Sequence, residues 1–297
     1  MEWLQSFLSG SFSVKLFSLL SEFGEELICV AVMGVLYWGI NKKLGKTLAV
    51  NIVVNLVWNP MIKNVFTRRR PYFDNETIKI LKPVDAKADI MDIKAQGYSF
   101  PSGHSSNSAT VFGTLAVFGK KTRLRILGVA IPLLVGISRV VLGAHYPTDV
   151  FCGWLLGVII VIFIPFIQRK INNDKILFLI LAVAGIPGFF YCTSNDFYSG
   201  YGMMLGCFLG LLMEEKFVNF ENTKSVVRVI LRTVVGGGLF FGLNTVLKLP
   251  FSKGLLESAT LAAYLIRTVR YALVVFLIVG VYPIAFKYTG KIGKKDK

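Results

Sequence analysis

Apolar residues along this chain gather into nine runs, near 24–41, 46–66, 102–119, 125–143, 148–167, 175–192, 200–214, 226–248 and 268–287. Many are of the length, about 18 to 22 residues, that crosses a hydrocarbon core of about 30 Å as helix. The pattern predicts an all-α fold, a polytopic transmembrane helix bundle of about nine spans. No internal repeat, low-complexity linker or shift of composition cuts the sequence, so residues 1–297 are expected to form a single membrane domain.

Residues 1–22 read differently. Trp3, Leu4, Phe7, Leu8, Phe12, Leu16, Leu19 and Leu20 are interrupted by serines and by Lys15. An interfacial amphipathic helix is the expected form. A tenth span is the alternative; it would move the N-terminus inside without moving anything downstream. A basic start followed by a short apolar run and a small-residue cleavage site is lacking, so no removable signal peptide is expected.

Composition agrees with a membrane setting: 54% of residues are apolar and the mean hydropathy is +0.61. A net charge of +16 would suit a nucleic-acid binder, but the cations stand at the ends of apolar runs. That placement suits cytoplasmic flanks and anionic lipid surfaces, and no nucleic-acid partner is expected. Five basic connections fall on one side: Lys42, Lys43 and Lys46; Lys120, Lys121, Arg123 and Arg125; Arg169, Lys170 and Lys175; Lys216, Lys224 and Arg228; Lys291, Lys294, Lys295 and Lys297. The positive-inside bias makes that side cytoplasmic. Parity then puts the 67–101 loop and the 144–148 turn on the non-cytoplasmic face of the cell membrane, with the C-terminus cytoplasmic. Cys29, Cys152, Cys192 and Cys207 show no metal-type spacing and imply no disulfide framework.

The chain has two histidines, and each sits in a polar block between apolar runs. His104 ends Pro101-Ser102-Gly103-His104. Five residues separate Ser138-Arg139 from His145, and three separate His145 from Asp149. Upstream, six residues separate Lys63 from Arg70-Pro71. A phosphate ester repels anionic nucleophiles, so its hydrolysis needs cations around the equatorial oxygens, an in-line nucleophile and an acid for the leaving oxygen. Lys63, Arg70 and Arg139 supply cations. Ser102 and Gly103 stand at a predicted helix start, where a backbone N–H and a hydroxyl can hold an anion. Neutral His145 is the candidate nucleophile, Asp149 its orienting carboxylate, and His104 the acid and later the base.

Ordinary readings compete with each assignment. Lys63 alone would be a snorkelling cation, Ser102 and Asp149 helix caps, and either histidine a satisfied polar residue. The joint spacing favours the chemistry. The three blocks in this order resemble the type 2 phosphatidic acid phosphatase (PAP2) superfamily, whose members include lipid phosphatases, glucose-6-phosphatase and the vanadium haloperoxidases. The resemblance implies a helical catalytic core over 46–167, with 175–287 as additional spans, and the same residue roles. Two spans before the first block and four after the last look like the glucose-6-phosphatase and sphingosine-phosphate phosphatase branches.

The expected function is metal-independent hydrolysis of a lipid phosphomonoester or diphosphate through a phosphohistidine at the outer face. Phosphatidic acid, phosphatidylglycerol phosphate, undecaprenyl diphosphate and a phosphorylated sphingoid base are candidate substrates. A soluble phosphosugar and a non-enzymatic lipid transporter on the same fold remain alternatives. No cofactor or metal is implied, since only Asp149 accompanies the histidines. The sequence leaves oligomeric state open. Asn51, Asn55, Asn59 and Lys63 recur every four residues, which predicts interhelical hydrogen bonds or a second role for Asn59 in holding the Lys63 ammonium. Arg68 and Arg69 are expected to face headgroups, Glu22, Glu25 and Glu26 to be solvated interface charge, and Gly236-Gly237-Gly238 to permit close helix packing.

Overall fold

A computed structural model describes residues 1–8 and 10–289, with side chains through Lys287; the basic cluster Lys291, Lys294, Lys295 and Lys297 lies outside the described residues. Regular structure among the described residues is helical throughout. In chain order the helices are α1 (Glu2–Leu8), α2 (Ser11–Glu22), α3 (Glu26–Gly34), α4 (Lys42–Phe66), α5 (Pro71–Asp74), α6 (Ile93–Gln96), α7 (Gly103–Phe118), α8 (Thr122–Val141), α9 (Pro147–Ile171), α10 (Asp174–Gly185), α11 (Asn195–Met213), α12 (Val226–Val246), α13 (Lys253–Glu257), α14 (Leu261–Phe276) and α15 (Phe286–Thr289). Short π or 3₁₀ turns extend α3, α10, α11 and α14.

Every apolar run of the sequence falls on one of these helices. Thr122–Val141, Pro147–Ile171, Val226–Val246 and Leu261–Ala285 are each long and apolar enough to cross a bilayer. The chain is a multi-pass membrane protein. The remaining runs fall short for identifiable reasons. α4 has the length, yet it carries buried Asn51, Asn55 and Asn59 and four lysines. α7 spends its first turns on His104, Ser105, Ser106, Asn107 and Ser108. Such groups are tolerated in a membrane only where protein surrounds them.

The described residues form two compact units, a division the sequence did not suggest. The first comprises Met1–Val30, Trp58–Arg169 and Gly188–Ser194. In it α7 and α2 both pack on α8. Residues 1–22 form two helices rather than the one expected, α2 starting after Gly10. Trp3, Phe7, Phe12 and Leu19 point outward, while Gln5 and Ser21 are buried. An apolar outer face with polar groups turned inward suits contact with lipid. The Gln5 side-chain nitrogen donates to the Lys79 and Val141 carbonyls, and its oxygen accepts the Lys79 N–H, tying α1 to the 67–101 loop and to the end of α8.

The second unit comprises Ala31–Val57, Lys170–Pro187 and Asn195 onward. α11 packs along α14, with the Tyr198 and Tyr264 rings stacked at 4.1 Å. Buried Glu214 accepts from Lys42 Nζ at 2.8 Å and from the Phe220 N–H at 2.9 Å, which fixes the end of α11. Of the three consecutive glycines in α12, Gly236 carries the predicted close packing: a Cβ there would lie 2.5 Å from the Trp38 ring. Gly237 and Gly238 face open space.

Candidate active site

Helix ends position every predicted site residue, and all of them lie within the first unit. Lys63 is in the last turn of α4. Arg70 immediately precedes α5, whose first residue is Pro71. Ser102 caps α7, its hydroxyl accepting the Ser105 N–H at 3.3 Å, so Gly103 and His104 open that helix. The Gly103 N–H is a first-turn donor that helix geometry leaves without an intrahelical acceptor. A second tie holds this corner, because the Ser102 N–H donates to the Asp149 carbonyl at 2.9 Å.

The turn that carries His145 follows from a helix stop and a helix start. At the end of α8, the Ala144 N–H returns to the Arg139 carbonyl and the Gly143 N–H to the Val140 carbonyl, the two bonds of a Schellman stop. Gly143 adopts φ +75°, the left-handed conformation that such a stop requires. Two residues later Tyr146 precedes α9, which begins on Pro147, a residue preorganised for the first helical position. Asp149, third in the helix, reaches back to accept the Tyr146 N–H at 2.8 Å. Capping therefore fixes Asp149 beside His145.

His145 is 2% exposed and Asp149 wholly buried. Arg70 Nη1 stands 3.3 Å from His145 Nε2. A guanidinium only donates, so Nε2 presents its lone pair and Nδ1 carries the proton. Nδ1 lies 3.4 Å from Ser99 Oγ and 3.7 Å from Asp149 Oδ2. Asp149 does not hold the imidazole directly, as the sequence reading expected. Ser99 stands between, donating its own proton to Asp149 Oδ2 at 2.5 Å. Burial above all, then the positive charges of Arg70, Lys63 and Arg139, hold the His145 imidazole well below the usual histidine range. It is neutral at pH 7.

Carbonyl and hydroxyl oxygens help to hold the cations. Arg70 donates to the carbonyls of Gln96, Gly97 and Ala144 at 2.9 to 3.1 Å. Arg139, 2% exposed, gives Nη1 to Ser21 Oγ at 2.8 Å, while its buried Nε has no hydrogen-bond partner. Lys63 Nζ donates to the Tyr98 carbonyl at 2.7 Å. Carbonyls and hydroxyls orient these groups and leave the charge on them, which suits an anion. Asn59 Nδ2 donates to Ser106 Oγ at 3.1 Å, a bond between α4 and α7 of the interhelical kind.

Sequence reasoning missed four contributors. Ser99 carries no signal beyond standing two residues before Pro101. Arg68, expected at headgroups, donates to Asp149 Oδ1 at 2.9 Å and to Thr148 Oγ1 at 2.8 Å, with its guanidinium 3.9 Å over the Tyr146 ring. Glu25, expected to be solvated, lies with Oε1 2.9 Å from His104 Nε2. Glu22 pairs with Lys82. Ser21 is the fourth, and its contact with Arg139 spans 118 positions in sequence. Only folding brings such pairs together.

Residues 43–173 match the family model described as the PAP2 superfamily, and residues 198–294 match that of the PAP2 superfamily phosphatase, transmembrane extension. Among similar proteins, an undecaprenyl-diphosphatase of Sulfolobus acidocaldarius is 36% identical over 140 residues, covering 46% of this chain and 62% of the relative. A phosphatidylglycerophosphatase B of Bacillus subtilis is 38% identical over 92 residues, covering 28% of this chain and 45% of the relative. A lipid A 1-phosphatase of Rhizobium etli is 28% identical over 162 residues, covering 48% of this chain and 66% of the relative. The chain thus spans 45% to 66% of the length of these curated relatives. No solved structure matches it. Both matched models describe parts of the same family, and over these two segments the chain is similar to the PAP2 superfamily and its transmembrane extension.

Proposed function

We propose that the protein is a membrane phosphatase that hydrolyses a lipid phosphomonoester or diphosphate through a phosphohistidine on His145, without a metal ion. The observation that carries this reading is the buried imidazole at His145, neutral, with its Nε2 lone pair directed at Arg70. A phosphoryl group seated among Lys63, Arg70, Arg139, the Ser102 hydroxyl and the Gly103 N–H puts phosphorus before that lone pair. Nε2 attacks, the bond to the leaving oxygen breaks, and His104 gives that oxygen a proton. Water then attacks phosphorus while His104 takes its proton, the phosphorus–nitrogen bond breaks with its electron pair returning to Nε2, and His145 and inorganic phosphate are freed. The arginines and Lys63 neutralise the charge that spreads over the equatorial oxygens.

The names of the similar proteins, an undecaprenyl-diphosphatase, a phosphatidylglycerophosphatase and a lipid A phosphatase, support a lipid carrier for the phosphate. The outward apolar face of α1 and α2 suits a substrate arriving from the bilayer. The charge of the connecting loops supports nine spans and a site on the non-cytoplasmic side. Purified protein offered undecaprenyl diphosphate, phosphatidylglycerol phosphate, phosphatidic acid and glucose 6-phosphate tests this reading. Release of phosphate from one of the lipids in EDTA, blocked by vanadate, is expected. Activity on the sugar alone, or only with added Mg²⁺, overturns it.

A further inference from the structure

Residues 21–25, from the last turn of α2 to the residue before α3 and upstream of the matched family region, lie against α7 and the end of α8. Arg139 Nη1 donates to Ser21 Oγ at 2.8 Å, Asn107 Nδ2 to the Gly24 carbonyl at 3.1 Å, and the Phe23 and Phe112 rings meet edge to face at 6.3 Å. A Cβ at Gly24 would fall 2.8 Å from His104 Cβ, so the backbone itself sits on the histidine. From this position Glu25 Oε1 reaches His104 Nε2 at 2.9 Å.

We propose that Glu25 is the positioning residue of His104, as Asp149 through Ser99 is of His145, and that the N-terminal segment is thereby part of the catalytic apparatus. The inference rests on His104 being the acid of the reading above. With Nε2–H held by the carboxylate, Nδ1 is the nitrogen that transfers the proton. The carboxylate favours the imidazolium form and so opposes burial and the positive charge of Arg139, which together lower the proton affinity of this ring. When the phosphorus–oxygen bond breaks, its electron pair stays on the leaving oxygen, which takes the Nδ1 proton. Neutral His104 keeps Nε2–H on Glu25, and its Nδ1 lone pair then accepts the proton of the attacking water.

Leaving-group dependence tests this. An alkoxide must be protonated as it departs, whereas 4-nitrophenolate need not be. The first-turnover release of alcohol from a long-chain alkyl phosphate is compared with that of nitrophenol from 4-nitrophenyl phosphate in one preparation. Their ratio does not depend on the fraction of protein folded. Glu25→Gln is expected to lower the alkyl-to-aryl ratio at least about tenfold, and His104→Ala to lower it further. A wild-type ratio in E25Q alongside a lowered one in H104A overturns the role of Glu25 and leaves His104 as the acid. A wild-type ratio in H104A overturns the acid assignment itself. If E25Q does not accumulate in the membrane, Glu25→Asp, which withdraws the carboxylate by one methylene, is expected to lower the ratio at least about threefold; an unchanged ratio there also overturns the proposal.

Discussion

Arg70 Nη1 lies 3.3 Å from His145 Nε2 while Ser99 Oγ lies 3.4 Å from Nδ1 of the same ring. One side of the imidazole faces a group that can only donate, the other a hydroxyl whose proton is committed to Asp149. The ring is thereby held in the tautomer with its lone pair on Nε2, the one the proposed attack requires.

Asp149→Asn removes the charge at the far end of this chain and supplies a donor where an acceptor is needed. Turnover is expected to fall at least about a hundredfold, with the fold retained. Ser99→Ala removes the intermediate hydroxyl and leaves the carboxylate, so a smaller loss, about tenfold, is expected. Both should appear in kcat rather than KM, measured on purified variants. Wild-type rates in the two would refute the orientation argument.

The depressed proton affinity of His145 also sets a pH dependence of stability. In the unfolded chain its imidazole titrates at about 6.5; in the fold it stays neutral to well below that value. Between the two the unfolded state binds more protons, so stability contributed here is complete above about pH 6.5 and is lost as pH falls. His145→Asn, which does not titrate, should flatten this part of the profile. Melting temperatures in detergent from pH 7.5 to 5 should decline less for H145N than for the wild type. Parallel declines would contradict the assignment.

Gly153 lets α9 approach the turn that carries Ser102. A Cβ there would meet the Ser102 carbonyl oxygen at 2.6 Å and Ser105 Cβ at 3.0 Å. Backbone must move to admit it, and what moves is the start of α7, the proposed seat of the phosphate. Gly153→Ala is expected to raise KM and lower kcat/KM at least about tenfold, with little loss of protein from the membrane. Steady-state kinetics on the preferred substrate check this, and wild-type kcat/KM contradicts the seat assigned to Ser102 and Gly103.

The parts legible in the sequence were those encoded by spacing. The apolar runs located the long helices, and the three polar blocks named Lys63, Arg70, Ser102, Gly103, His104, Arg139, His145 and Asp149, which the fold gathers into one unit. Hidden were the contacts closed by chain segments far apart. Glu25 meets His104 across 79 positions and Arg139 meets Ser21 across 118, distances over which no local period carries information. Asp149 shows a third limit: its cap to Tyr146 is a local signal, yet whether it touches His145 directly depends on Ser99, placed by a loop that has little periodicity. The two units were likewise invisible, because α4 runs through both without a change of composition.

The proposed sidedness rests on the charge of the basic loops, and it would decide which lipid pool is reached. In a variant without Cys29, Cys152, Cys192 and Cys207, a cysteine replacing exposed Lys87 should react with an impermeant thiol reagent on intact cells. One replacing exposed Lys121, between α7 and α8, should react only after lysis. The inverted pattern would place the site on the cytoplasmic leaflet.

The most direct test of the central claim is to trap the phosphorylated enzyme. In His104→Ala the base for the second step is gone, whereas 4-nitrophenyl phosphate needs no acid for the first, so the intermediate should accumulate during a burst. One acid-labile, alkali-stable phosphoryl group per burst is expected, mapped by mass spectrometry to His145 and missing when His145 is also replaced by Ala. Nitrophenol release with no phosphorylated protein, or with the phosphoryl group on another residue, would contradict it.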